Sequence, residues 1–148
     1  MKSIVLYYSY GGHTKKAAEK LARSQGAELV EIQTQSDKSK FLLYLVDCPR
    51  AMMRKSTAIK PITQDLSSYD LITLASPVWA SYPTPAFNAV VKLLPKGKNI
   101  QVLMVSASGS GATKKSEDGT KKLIKHQGCR VVSYKDVKQP TVEVKDPE

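Results

Sequence analysis

Tyr8-Ser9-Tyr10-Gly11-Gly12-His13-Thr14 gathers hydroxyls, two glycines and an imidazole between an apolar run, Ile4-Val5-Leu6-Tyr7, and an amphipathic stretch from Lys15 to Arg23. The hydroxyls of Ser9, Tyr10 and Thr14 can donate to phosphate oxygens. Gly11 and Gly12 let the backbone approach, and the first N–H groups of a following helix point at the anion. That chemistry is a phosphate cradle. The same residue types also make ordinary turns and N-caps, so the decision falls to the other loops.

A second run, Ser76-Pro77-Val78-Trp79-Ala80-Ser81-Tyr82-Pro83-Thr84-Pro85, follows the apolar Leu71–Ala75 and holds the only tryptophan and three prolines. An aromatic on a proline-stiffened loop is a stacking platform; the alternative is that Trp79 caps the core and Tyr82 lies at the surface. A third run, Ser106-Ala107-Ser108-Gly109-Ser110-Gly111, is small and flexible, and its backbone N–H and C=O groups can address the polar edge of a flat heterocycle. Phosphate binding, stacking and edge recognition then lie on three consecutive loops. No hydrolytic set accompanies them. His13 is read as a cap or phosphate contact and His126 as a dipole partner near a helix end. Cys48 and Cys129 are isolated from other metal-ligand residues and read as structural thiols. No catalytic side chain and no metal site are expected.

To place three loops on one rim, apolar and amphipathic segments must alternate as strands and crossover helices of a parallel sheet. The pattern predicts strands at Ser3–Tyr8, Glu28–Ile32, Leu71–Ala75, Ile100–Ser106 and Arg130–Tyr134. The first, third and fourth are nearly continuously apolar and belong at the sheet centre. Helices fit Thr14–Ser24, ended by Gly26; a segment near Lys38–Arg54, broken at Pro49; Pro85–Leu94, ended by Pro95; and Thr113–Gln127, ended by Gly128 and weakened by Gly119. Right-handed crossovers give an open, doubly wound sheet with its ligand beyond the C-terminal strand ends. The stretch from Lys135 to Glu148 reads as an extended tail, too short and proline-marked for a last packing helix. One sheet face is then undercovered and open to self-association, so monomer and homodimer are both compatible.

The 148 residues suit one domain without disulfides or a structural metal. No apolar run is long enough to cross a bilayer and the first residues lead straight into a strand, so a cytoplasmic location is expected. Net charge is +10, which favours acidic partners or polyanions. Between Thr113 and Lys138, eight Lys or Arg face three acids. The plain alternative is a solvated lysine face.

On Tyr7 to Thr14, on Tyr69-Asp70-Leu71-Ile72 leading into Ser76-Pro77-Val78-Trp79-Ala80, and on Pro83-Thr84-Pro85-Ala86-Phe87, the chain resembles the flavodoxin family, specifically short-chain bacterial members, over nearly its whole length. The resemblance implies a flavodoxin-like α/β fold with a doubly wound five-stranded parallel sheet of order 2-1-3-4-5, here without the usual last helix, and FMN as cofactor. It assigns Ser9, Tyr10, Gly11, Gly12, His13 and Thr14 to the phosphate. Ser76, Pro77, Val78, Trp79, Ala80 and Ser81 flank the ring with Trp79 stacking, and Ser106, Ala107, Ser108, Gly109, Ser110 and Gly111 contact its far side. The chain departs from the family in having no aromatic in the third loop, no glycine in Val78-Trp79-Ala80-Ser81 for a peptide flip toward reduced flavin, and a basic charge.

The leading expectation is an FMN-binding redox protein acting in electron transfer with redox partner proteins, acidic ones by charge complementarity. One alternative is an NAD(P)H-dependent, FMN-containing quinone reductase with a small-molecule acceptor. Another is a cofactor-free basic interaction module on the same fold. Nucleic acid is disfavoured because aromatics are not interleaved with the lysines. A phosphoacceptor domain of this architecture lacks its aspartate at Tyr8-Ser9 and Ala75-Ser76, and a phosphatase loop lacks its cysteine between Tyr8 and Thr14.

Overall fold

The computed structural model describes residues 1–9, 11–34, 54 and 56–140. Tyr10, Cys48, the helix expected near Lys38–Arg54 except for Arg54 itself, and residues 141–148 lie outside that set. The described elements run β1 (Ser3–Tyr7), α1 (His13–Gln25), β2 (Glu28–Glu31), a 3₁₀ turn (Leu66–Ser68), β3 (Leu71–Trp79), β4 (Tyr82–Pro83), α2 (Pro85–Val91), β5 (Asn99–Ser106), α3 (Lys114–His126) and β6 (Arg130–Lys138).

Five strands are parallel in the order β2-β1-β3-β5-β6, with β4 antiparallel beside β3. The expected order 2-1-3-4-5 holds, because the fourth and fifth expected strands are β5 and β6. The near-continuous apolar runs are central, and β1 is buried along its whole length. Strand alternation divides the core in two. Ile4, Leu6, Ile72, Leu74, Ile100, Val102 and Met104 meet Phe87 and Val90 of α2 and Ile124 of α3. Val5, Tyr7, Ala75, Leu103 and Val105 face Ala18 and Ala22 of α1.

Helix ends follow their residues. Gly12 and Gly26 bracket α1 at φ 89° and 60°, left-handed conformations that glycine adopts without steric cost. The Thr113 hydroxyl accepts the Ser116 N–H at the start of α3. Pro85 opens α2, which ends at Val91 rather than Leu94 because Leu93 and Leu94 donate three residues back, to Val90 and Val91, in a tightened last turn. Within α3, Gly119 has a packing reason: a Cβ there would lie 2.8 Å from Nη2 of Arg54. That guanidinium donates to the Thr120 hydroxyl at 2.7 Å and to the Ser116 carbonyl at 2.8 Å.

Two strands extend four residues past their expected ends. Beyond Ala75, β3 has no β1 partner, so Pro77, which has no N–H to give a ladder, is tolerated while β5 still pairs on the other side. The expected loop after Ala75 is therefore strand up to Trp79. Ala80 and Ser81, at φ 50° and 74°, then turn the chain back into β4, with Trp79 opposite Tyr82. Similarly, Lys135–Lys138, expected as the start of the tail, continue β6 against Leu103–Ser106. Val137 packs against the α1-side core while Lys135 and Lys138 are exposed, which suits an edge strand with one covered face.

Candidate functional site

The loops after β1, β3 and β5 meet in a cleft of about 470 Å³ at the C-terminal ends of the central strands. Gly11, His13 and Thr14 line one end, Pro77, Val78, Trp79 and Ser81 one wall, and Ser106, Ala107, Ser108 and Gly111 the other. This is the crevice that the strand order of an open α/β sheet creates.

At the α1 end the backbone N–H groups of Gly12 and Lys15 converge on one point, held here by Ser9 Oγ at 3.1 and 3.3 Å. The first turn of α1 carries Lys15 and Lys16 and no acid. A helix start normally favours carboxylates; two lysines beside convergent amides make a place for an external anion. Thr14 is buried against this end. The His13 ring, expected to cap or to touch phosphate, donates from Nδ1 to the Pro140 carbonyl at 3.0 Å and so ties the segment after β6 to the cleft.

The wall from β3 is built by the hairpin. Trp79 is 7 % exposed, belongs to the core cluster and meets Tyr8 edge to face. It is thus both core cap and cleft wall. Tyr82, on the return strand, carries the Arg54 guanidinium over its ring at 4.8 Å, which fastens the hairpin to α3. Burial pulls the Arg54 pKa below its ordinary value, and Tyr82 and Tyr134 counter that pull.

The wall from β5 is organised by one hydroxyl. Ser106 Oγ donates to Asp136 at 2.7 Å and accepts the N–H groups of Gly109 and Gly111, both at 3.1 Å. Gly111 has no room for a side chain: its Cβ would lie 2.8 Å from Ser106 Cβ.

Several expected site residues do not reach the cleft surface. Ser76 is fully buried, its hydroxyl shared between the Pro77 carbonyl and Thr84, so it joins β3 to the start of α2. Ser9 and Gly12 adjoin the α1 end of the cleft without lining it, Ala80 sits on the exposed turn, and Gly109 and Ser110 flank the lining residues Ser108 and Gly111. Tyr10 lies outside the described residues. Conversely, Val105 and Gln139 line the cleft without having been singled out. Val105 reads in sequence only as strand core. Gln139 reads as tail, and pairing of β6 brings it there, with its N–H on the Ser106 carbonyl at 2.7 Å.

Exposed Lys15 stands at the loop after β1, and exposed Lys138 packs its backbone against Gly109 of the loop after β5. Lys114 is engaged with Glu117 and Asp118 at 3.2 and 2.9 Å. The described residues hold no group of three or more His, Cys, Asp or Glu able to bind a metal. Cys129 is buried and donates to the Pro95 carbonyl. Among the described residues, no helix is long and apolar enough to cross a membrane.

A five-stranded parallel α/β sheet with a three-loop crevice at its C-terminal edge defines the doubly wound class. Within it, the flavodoxin family profile matches residues 2–139, and the chain belongs to that family. Among solved structures, it is similar to a Lactobacillus acidophilus NCFM flavoprotein crystallised in complex with FMN. Identity is 25 %, coverage is 90 % of this chain and 91 % of that one, and the TM-score is 0.73. The apo form of the flavoprotein from the same organism matches at 24 % identity, 91 % and 92 % coverage and a TM-score of 0.68. Oxidised flavodoxin 2 from Bacillus cereus matches at 17 % identity, 97 % and 88 % coverage and a TM-score of 0.57. No curated protein sequence matches.

Proposed function

We propose that this chain binds FMN in the three-loop cleft and carries electrons between redox proteins. The observation behind this reading is convergence: an amide-lined anion position, an aromatic wall and a small-residue wall bound a single cleft of about 470 Å³. The donor set suits a phosphorylated flat heterocycle. The amides of Gly12 and Lys15 and the hydroxyls of Ser9 and Thr14 would hold the phosphate, with Ser9 Oγ turning from acceptor to donor. Trp79 and Val78 would bound one face of the ring, and the Ser106–Gly111 loop its far edge.

Bound FMN supplies the redox chemistry, through a ring system that takes up and releases electrons. The protein keeps Val78, Trp79 and Val105 against the cleft to exclude water, and sets a positive field around it. Exposed Lys15 and Lys138, next to two of the loops, and the net charge of +10 favour an acidic docking partner. Steady-state NAD(P)H oxidation with a quinone acceptor separates a carrier from a reductase: a carrier gives only background turnover.

The test is titration of the apoprotein with FMN, followed by quenching of flavin fluorescence and by the visible absorption of the complex. Saturable binding at micromolar FMN or below, weakened in Trp79→Ala, is expected. Absence of binding at high micromolar FMN would overturn the proposal.

A further inference from the structure

We infer that Asp136, on the edge strand β6, is a positioning residue for the cleft: it fixes the polarity of the Ser106 hydroxyl and thereby the shape of the third loop. The inference rests on the reading of the cleft as an FMN site. Asp136 pairs with Met104 in the sheet, two residues short of the rim. From there its two carboxylate oxygens reach different ends of the loop. Oδ1 accepts from Ser106 Oγ at 2.7 Å, and Oδ2 accepts from the Ala112 N–H at 2.9 Å.

A hydroxyl has one proton and two lone pairs, whereas a carboxylate can only accept. Ser106 must therefore donate to Asp136, and both of its lone pairs turn to the loop, where they meet the N–H groups of Gly109 and Gly111. The Ser110 N–H goes to Ser108 Oγ at 3.2 Å. All four successive N–H groups from Gly109 to Ala112 are thus taken up by the protein, three by Ser106 and Ser108 and the fourth by Asp136. What this stretch retains for a ligand is its carbonyl oxygens and the Ser108 and Ser110 hydroxyls, which suits a ligand edge that presents N–H.

The packing agrees. A Cβ on Gly109, at φ 79°, would come within 3.0 Å of the Lys138 backbone nitrogen, and one on Gly111 would strike Ser106. The loop closes as tightly on β6 as glycine allows. Asparagine at position 136 keeps one oxygen for Ser106 but turns an NH₂ toward the Ala112 N–H, donor against donor. Alanine removes both acceptors.

Amide exchange of the apoprotein, read residue by residue by NMR, tests the loop directly. In Asp136→Ala, protection of Gly109, Gly111 and Ala112 falls by about tenfold, while amides of β1 and β3 hold theirs. Asp136→Asn loses protection at Ala112 and keeps it at Gly109 and Gly111. In FMN titrations Asp136→Ala and Ser106→Ala each weaken binding by about tenfold, and the double variant is no weaker than either, because the two act as one unit. Unchanged exchange at the three loop amides, equal loss throughout the sheet, or single effects that multiply to about a hundredfold in the double variant would overturn the inference. A wild-type apoprotein that binds no FMN removes the flavin reading alone, and the exchange pattern still decides the role of Asp136.

Discussion

Tyr8 and Trp79 meet edge to face, their ring centroids 6.1 Å apart and their planes at 80°. Tyr8 directly follows β1 and Trp79 ends β3, so one aromatic contact couples the loop after β1 to the β3–β4 hairpin. Because Trp79 is both core and wall, its removal must act on stability and on binding together. Trp79→Ala is expected to cost roughly 3–5 kcal/mol in urea unfolding and to weaken FMN binding at least tenfold. Trp79→Phe keeps an aromatic face, loses less of both, and binds within a few-fold of wild type. If Trp79→Ala unfolds as predicted but binds FMN like wild type, the side chain is a core cap only.

The hairpin turn holds stored strain. Ala80 and Ser81 adopt positive φ without being glycine, and a left-handed residue with a Cβ costs roughly 1–2 kcal/mol. Ala80 is exposed, so replacing it removes little packing. Ala80→Gly should therefore raise the urea midpoint by the equivalent of about 1 kcal/mol, offset in part by greater freedom in the unfolded chain. An unchanged or lower midpoint would show that the turn is unstrained.

Tyr134 gives the protein an alkaline limit. Its hydroxyl is buried with no hydrogen-bond partner among the described residues. Burial, followed by the charges of Asp136 and Glu117, pushes its pKa up from 10.0 to about 12. In the unfolded chain the phenol ionises near 10, so between about pH 10 and 12 the folded state holds a proton that the unfolded state has lost, and stability falls as pH rises. Below pH 10 the two states are equally protonated and the contribution is fully present. Tyr134→Phe should flatten this part of the pH profile while leaving neutral-pH stability near wild type, since no hydrogen bond is lost. Equal slopes in the two proteins above pH 10 would refute the assignment.

The positive field has an electrochemical consequence. Reduction adds negative charge to the cofactor, and a protein of net charge +10 stabilises it. The midpoint potential of the FMN complex is expected to be less negative than in acidic flavodoxins, and to move negative as salt screens the lysines. Spectroelectrochemical titration at low and high ionic strength measures both. A potential equal to or below those of acidic relatives would sink the argument.

The sequence by itself determined the sheet and the rim. Apolar runs at Ile4–Tyr7, Leu71–Ala75 and Ile100–Ser106 can only be strands covered on both faces, and crossover helices force their C-terminal ends to one side. The loops after Tyr7 and Ser106 and the tryptophan between them follow by position alone, because those signals are local. Tertiary structure decided what depends on pairing partners. Pro77 lies within a strand because β1 stops at Ala75, and Lys135–Lys138 are strand because β5 offers an open edge. Ser76 is withdrawn from the cleft because Thr84 folds back onto it, and Asp136 and Gln139 enter the rim because β6 runs on beside Ser106. Each of these outcomes is set by which segment lies alongside, a contact between residues 8 to 68 positions apart that no local pattern encodes.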